Sequence, residues 1–136
     1  MDNDLELLDC KEPGYNPIHN FESWIVAILN YEDQVDKLKL STLERHNLTD
    51  EIFVLQKGKA YLIIGGIENL PINIKTIYME KDIVYNVKRN AWHNILMSED
   101  ARVLIVENNK TGPANSQYIN IEESEKNKVL LNISKL

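Results

Sequence analysis

Residues 43–66 read LERHNLTDEIFVLQKGKAYLIIGG. Two runs rich in β-branched and aromatic residues, EIFVLQ at 51–56 and KAYLIIGG at 59–66, flank Lys57-Gly58, and a second break falls at Gly65-Gly66. A glycine between two such runs supplies the positive φ that a hairpin turn needs, so the pattern predicts a β-hairpin. Both alternating faces of 51–56 are apolar, with Phe53 and Leu55 on one and Ile52 and Val54 on the other. A strand of this kind is covered on both sides, which suits a sandwich or a barrel with something packed outside it.

Similar runs recur on either side of this hairpin. FESWIVAILN at 21–30 reads as a buried strand, and INIKTIYM (72–79), DIVYNV (82–87), AWHNILM (91–97) and ARVLIVEN (101–108) follow with turn residues between them. Short strands at this spacing indicate an all-β sandwich or barrel. Trp24, Phe53, Tyr61 and Tyr85 are expected in its core. Residues 31–42 fit a short helix or a loop equally. The first 20 residues are polar and broken by Pro13, Gly14 and Pro17, which predicts an irregular arm. Beyond Gly112-Pro113, the charged IEESEKNK reads as a solvated face or loop, and VLLNI as a short helix or an edge strand. The expected organisation is an arm over 1–20, a barrel over 21–110, and an extension over 111–136 packed on the same domain.

Composition narrows the partners. The chain has 136 residues, 43% of them hydrophobic, enough for one domain with a real core. Its net charge of −6, with no run of Lys and Arg interleaved with aromatics, argues against binding nucleic acid or a membrane surface. Cys10 is the only cysteine, which fits a reducing compartment. The acidic start MDNDLELLDC is unlike a signal peptide, and no window approaches the roughly 18 apolar residues of a membrane span. The expected location is the cytoplasm.

The chemistry gathers in front of the hairpin. With 43–46 extended, Glu44 and His46 project from one face and Arg45 from the other, because the strand period is two. Glu51 opens the next strand, and His93 lies within a later one. Carboxylate oxygen and imidazole nitrogen together suit a divalent metal such as Fe, Mn, Ni or Zn, rather than a thiolate site. Asp50 is expected to point away from Glu51, His19 to lie at the surface, and Arg45 and Arg89 to face solvent.

These residues resemble the two motifs of the cupin superfamily. Its first motif runs His-x-His, three or four residues, Glu, six residues, Gly. His46, Glu51 and Gly58 fall at the second histidine, the glutamate and the closing glycine, while Glu44 replaces the first histidine and Leu38 the opening glycine. In the second motif His93 stands at the histidine. Asp82, Lys88, Asn90 and Met97 replace its usual Gly, Pro, Gly and Asn. Asparagine tolerates the left-handed conformation that a turn glycine supplies. The likeness spans roughly residues 24 to 108, and the pattern is similar to small single-domain bacterial cupins. It implies a jelly-roll β-barrel with short irregular or helical N- and C-terminal extensions. It further implies a divalent metal held by Glu44, His46, Glu51 and His93, and a homodimer.

Function stays open between three classes at this point. One is a metal-dependent enzyme on a small polar or anionic molecule, and another a non-catalytic module that binds such a ligand. The third is metal-free sugar epimerase or isomerase chemistry, with His46 or His93 as the base. Phe53, Tyr61 and Trp92 are the candidate apolar wall of the pocket.

Overall fold

The computed structural model describes residues 3–136. The described residues form ten strands: β1 (Gly14–Phe21), β2 (Trp24–Asn30), β3 (Thr42–His46), β4 (Glu51–Lys57), β5 (Ala60–Ile64), β6 (Lys75–Tyr78), β7 (Val84–Val87), β8 (His93–Met97), β9 (Arg102–Asn108) and β10 (Ser116–Asn120). One helix, α1 (Glu123–Leu131), follows them. The strands make two five-stranded sheets, in the orders β1-β2-β9-β4-β7 and β10-β3-β8-β5-β6, with every pairing antiparallel. The predicted all-β architecture is therefore present. The two sheets are not closed edge to edge into a continuous barrel.

Alternation sorts the side chains. Phe53 and Leu55 of β4, Ala60 and Leu62 of β5, Ile95 and Met97 of β8, and Val103 and Ile105 of β9 are buried together between the sheets. The opposite face of the second sheet carries Leu43, Tyr61, Ile63, Trp92 and Leu96, packed with Leu40, Val129 and Ile133. Helix α1 supplies Val129 to this outer cluster, and its charged residues face water. So VLLNI begins as the last turn of a helix, not as an edge strand, and IEESEKNK is that helix's solvated side. The double-sided apolarity of β5 thus has a covering element from the same chain.

Three turns explain how the strands are set. Gly58 sits at φ +75° between β4 and β5, and a Cβ there would lie 2.6 Å from the Ala101 Cα. Asp82 and Asn90 replace the glycines of the second cupin motif and adopt φ of +68° and +69°. Their short polar side chains tolerate the left-handed region, so the turns keep their course without glycine.

Several expectations need correction. The irregular arm expected over 1–20 ends at Pro13, because residues 14–21 form β1, an edge strand paired along its length with β2. Gly14, Pro17 and the preceding Pro13 masked the strand; Pro17 is tolerated at the bulge between Pro17 and His19. β10 was not anticipated, since SQYIN has weak alternation and follows a proline. Trp24, expected in the core, is 41% exposed on the outer face of the first sheet. Residues 31–42 settle into two single 3₁₀ turns, Asp33–Val35 and Lys37–Lys39. No described helix is long and apolar enough to cross a membrane.

Candidate metal and ligand site

The site is built by register. In the second sheet Glu44 of β3 stands opposite His93 of β8, and His46 opposite Ser116 of β10, with Tyr118 opposite Glu44. In the first sheet Glu51 of β4 stands opposite Glu107 of β9. All of these side chains project between the sheets, so five strands deliver their polar residues to one end of the interior. They line a cavity of about 350 Å³, together with Phe53, Ile95, Ile105, Thr111 and Tyr15.

Glu44, His46, Glu51 and His93 therefore converge as a group. Glu51 Oε1 lies 3.0 Å from His93 Nε2 and 3.1 Å from His46 Nε2. Both Nε2 atoms lie 3.9 Å from Glu44 Oε1. His46, Glu51 and His93 are 8%, 6% and 2% exposed, so the cluster is well withdrawn from water. The far ring nitrogens are engaged. His93 Nδ1 donates to the Ala91 carbonyl at 2.9 Å, and His46 Nδ1 lies 2.8 Å from Ser116 Oγ. A carbonyl can only accept, so His93 donates from Nδ1, and its Nε2 faces the Glu51 carboxylate as a donor when the ring is protonated and as a lone pair free for a cation when it is neutral.

The ionisation follows from the same contacts. Burial alone would raise the Glu51 carboxyl, but the hydrogen bonds and charges of His46 and His93 outweigh it and hold it down at about 2. Burial opposes charging the two imidazoles, yet their bonds to Glu51 raise both above the ordinary histidine range. Burial, aided by Glu51 and opposed by the two histidines, raises Glu44.

Glu107 escaped the sequence reading. Burial, then the charge of Glu51, push its carboxyl up to about 7. Tyr15 donates to its Oε1 at 2.8 Å, and its Oε2 is buried with no hydrogen-bond partner. The ligand atoms of Glu44, His46 and His93 lie within 4.8 Å of one another, and so do those of His46, Glu51 and Glu107. The one available signal was that Glu107, near the end of ARVLIVEN, is in phase with Val103 and Ile105. Its partner Tyr15 sits in a segment that did not read as strand.

Two expected pocket residues lie elsewhere. Phe53 lines the cavity, its ring centroid 6.0 Å from that of His93. Tyr61 and Trp92 belong to the outer cluster of the second sheet, because their positions alternate with those that face inward. Trp92 Nε1 donates to the Glu68 carbonyl, and Arg45 lies over its ring at 4.5 Å. Tyr15 and Tyr118 are the tyrosines of the cavity instead. Asp50 turns away as expected and accepts from the Arg89 backbone N–H at 2.7 Å and from Asn86 Nδ2 at 3.1 Å. It ties the loop before β4 to the turn before β8. His19 packs on Trp24 at the surface.

Solved structures share this architecture at low sequence identity. A cupin-2 domain protein from Shewanella frigidimarina is 13% identical, with a TM-score of 0.50, covering 72% of this chain and 82% of that one. The fold is that of the cupins. Pac13, described as a nucleoside dehydratase, is 9% identical with a TM-score of 0.57 over 87% of this chain and 90% of its own. The iron(II) form of HppE is 12% identical with a TM-score of 0.52, covering 69% of this chain and 48% of that one. No protein-family model matches the chain, and no curated protein matches its sequence.

Proposed function

We propose that this cupin-fold chain is a cytoplasmic protein that binds one divalent metal ion and a small polar molecule at the barrel end. The carrying observation is Glu51 Oε1 at 3.0 and 3.1 Å from two histidine nitrogens whose other ring nitrogens are already engaged. This donor set fits a metal: two imidazoles and two carboxylates, buried, with outer hydrogen bonds that orient the rings. Glu44, His46, Glu51 and His93 would hold it, and Fe, Mn, Ni or Zn suits the mixture. Such an ion acts as a Lewis acid on an oxygen of the bound molecule. Phe53, Ile95 and Ile105 give the ligand an apolar floor, while Tyr15, Ser116 and Tyr118 offer hydroxyls at its rim. Iron in a structural neighbour is consistent with this reading.

The test is elemental analysis of protein purified without a tag or chelator, beside a His46→Ala/His93→Ala double variant. About one Fe, Mn, Ni or Zn per chain in the parent and none in the variant is the expected result. No metal in either, and none taken up on titration, overturns it. That outcome favours the second reading, metal-free acid–base chemistry, which the Glu51–His93 pair and the nearby Tyr15 support.

The proposal includes a homodimer. Val26, Ile52, Val54, Val84, Leu104 and Val106 make an apolar outer face on the first sheet, with Trp24 and Val84 well exposed. A second copy would cover it as α1 covers the second sheet. A monomer in light scattering overturns this part alone.

A further inference from the structure

The charge lining the cavity is one-sided. Glu44, Glu51 and Glu107 face it, and among the described residues that line it there is no lysine or arginine. A divalent ion held by Glu44, His46, Glu51 and His93 would be balanced by its two carboxylate ligands, leaving Glu107 on the wall. Two of the chain's arginines are tied up elsewhere. Arg45 is committed to Gln117, the Glu68 carbonyl and the Trp92 ring on the outer side, and Arg102 to Asp9 and Gln56 at the opposite end of the first sheet. An anionic ligand entering here would lose hydration and meet no positive side chain other than His46 and His93, whose charge is already paired with Glu51.

The wall asks for donors instead. Glu107 Oε1 accepts from Tyr15, and its Oε2 is buried without a partner. A buried acceptor with no donor is costly, and a ligand that brings a donor to the wall recovers that cost. Burial and Glu107 push the Tyr15 hydroxyl upward, so it remains protonated and holds the carboxylate in place. Ser116, Thr111 and Tyr118 add hydroxyls that both donate and accept.

Resting on the reading of this cavity as a ligand site, we infer that its ligand is a neutral, hydroxyl-rich molecule, not a carboxylate or phosphate, and that Glu107, positioned by Tyr15, selects it. The Glu107 carboxylate accepts from a ligand hydroxyl and repels an acid group at the same place. This narrows the expectation of a polar or anionic ligand to its polar half.

The test uses matched probes that differ mainly in one acid group: D-ribose against D-ribonate and D-glucose against D-glucuronate. Each is titrated at about pH 8.5, where Glu107, raised to about 7, is ionised, to high millimolar concentration into ¹⁵N-labelled full-length protein, following the amide signals of Glu51, His93 and Glu107. The neutral member of at least one pair should bind about tenfold more tightly than its acid, the scale of one hydrogen bond to a charged group. Glu107→Gln should erase the preference by removing the charge while keeping the shape. Tyr15→Phe, nearly isosteric, should weaken the neutral sugar without strengthening the acid as Glu107→Gln does. An acid that binds as tightly as its neutral partner overturns the inference. So does a preference that survives Glu107→Gln, or a cavity that no neutral probe perturbs. Metal content of the same samples reports separately on the metal reading. A metal-free chain that prefers the neutral sugar keeps this inference and sinks that one, and a metal-loaded chain that prefers the acid does the reverse.

Discussion

The two ends of the sheet interior are built by the same strands and differ in almost everything else. Strand β4 contributes Glu51, then Phe53 and Leu55; β8 contributes His93, then Ile95 and Met97; β9 contributes Val103 and Ile105, then Glu107. In each, a single inward-facing register runs from a charged or imidazole group at one end to buried aliphatics and an aromatic at the other. The apolar end is satisfied by contact alone. The polar end leaves like charges close together, an acceptor with no donor, and two histidines crowded on one carboxylate oxygen. One end holds the protein together, and the other spends some of that stability on a polar cluster whose donor set suits a cation.

Substitutions can separate the two ends. The largest stability loss should come from the apolar end: Leu55→Ala, at a fully buried site, should cost about 2–5 kcal/mol in urea unfolding and leave metal stoichiometry intact. At the polar end, Glu51→Gln should abolish metal uptake. In the metal-free protein it should cost less than Leu55→Ala, because the histidines can then shed their protons instead of remaining as unpaired charges. A Glu51→Gln loss as large as that of Leu55→Ala would break the contrast.

Acid and base should act on the polar end with opposite signs. Glu51, held near 2 from an ordinary 4.5, contributes stability above 4.5 that is lost as pH falls toward 2. His46 and His93, raised above 6.5, contribute stability present below 6.5 that is lost as pH rises through their folded values. Glu107, raised to about 7, acts in the same direction as the histidines: its contribution is complete below 4.5 and gone above 7. The metal-free protein should therefore have its highest melting temperature between about 4.5 and 6.5, and added metal should raise it most above that window, where the imidazoles are free to ligate. A metal-free melting temperature that keeps climbing from 6 to 8 would contradict this charge assignment.

The smallest effect sharpens the picture at the His46 ring. Ser116→Ala removes the hydroxyl beside Nδ1 and should weaken metal affinity about tenfold, while costing about 1 kcal/mol of stability. Competition with a chromogenic chelator would measure it, and unchanged affinity would mean that the ring needs no such support.

Period and turn chemistry made the all-β class, the hairpin around Gly58 and the shared face of Glu44 and His46 readable from the chain, because a strand's two-residue alternation is local, while Glu51 and His93 joined them only through the resemblance to the cupin motifs. Asn90 was legible too, since the left-handed turn it makes depends on the residue itself; Asp82 adopts the same conformation at the other glycine position. Tertiary structure alone decided which apolar face was interior. Tyr61 and Trp92 are as apolar as Phe53, and only helix α1, arriving from the far end of the chain, makes their side an outer cluster. It also decided the partnership of Tyr15 with Glu107, 92 residues apart, which depends on β1 docking at the sheet edge despite Pro17. Local pattern fixes which side chains share a face. Which face closes over a site depends on contacts between segments that carry no mark of each other in the sequence.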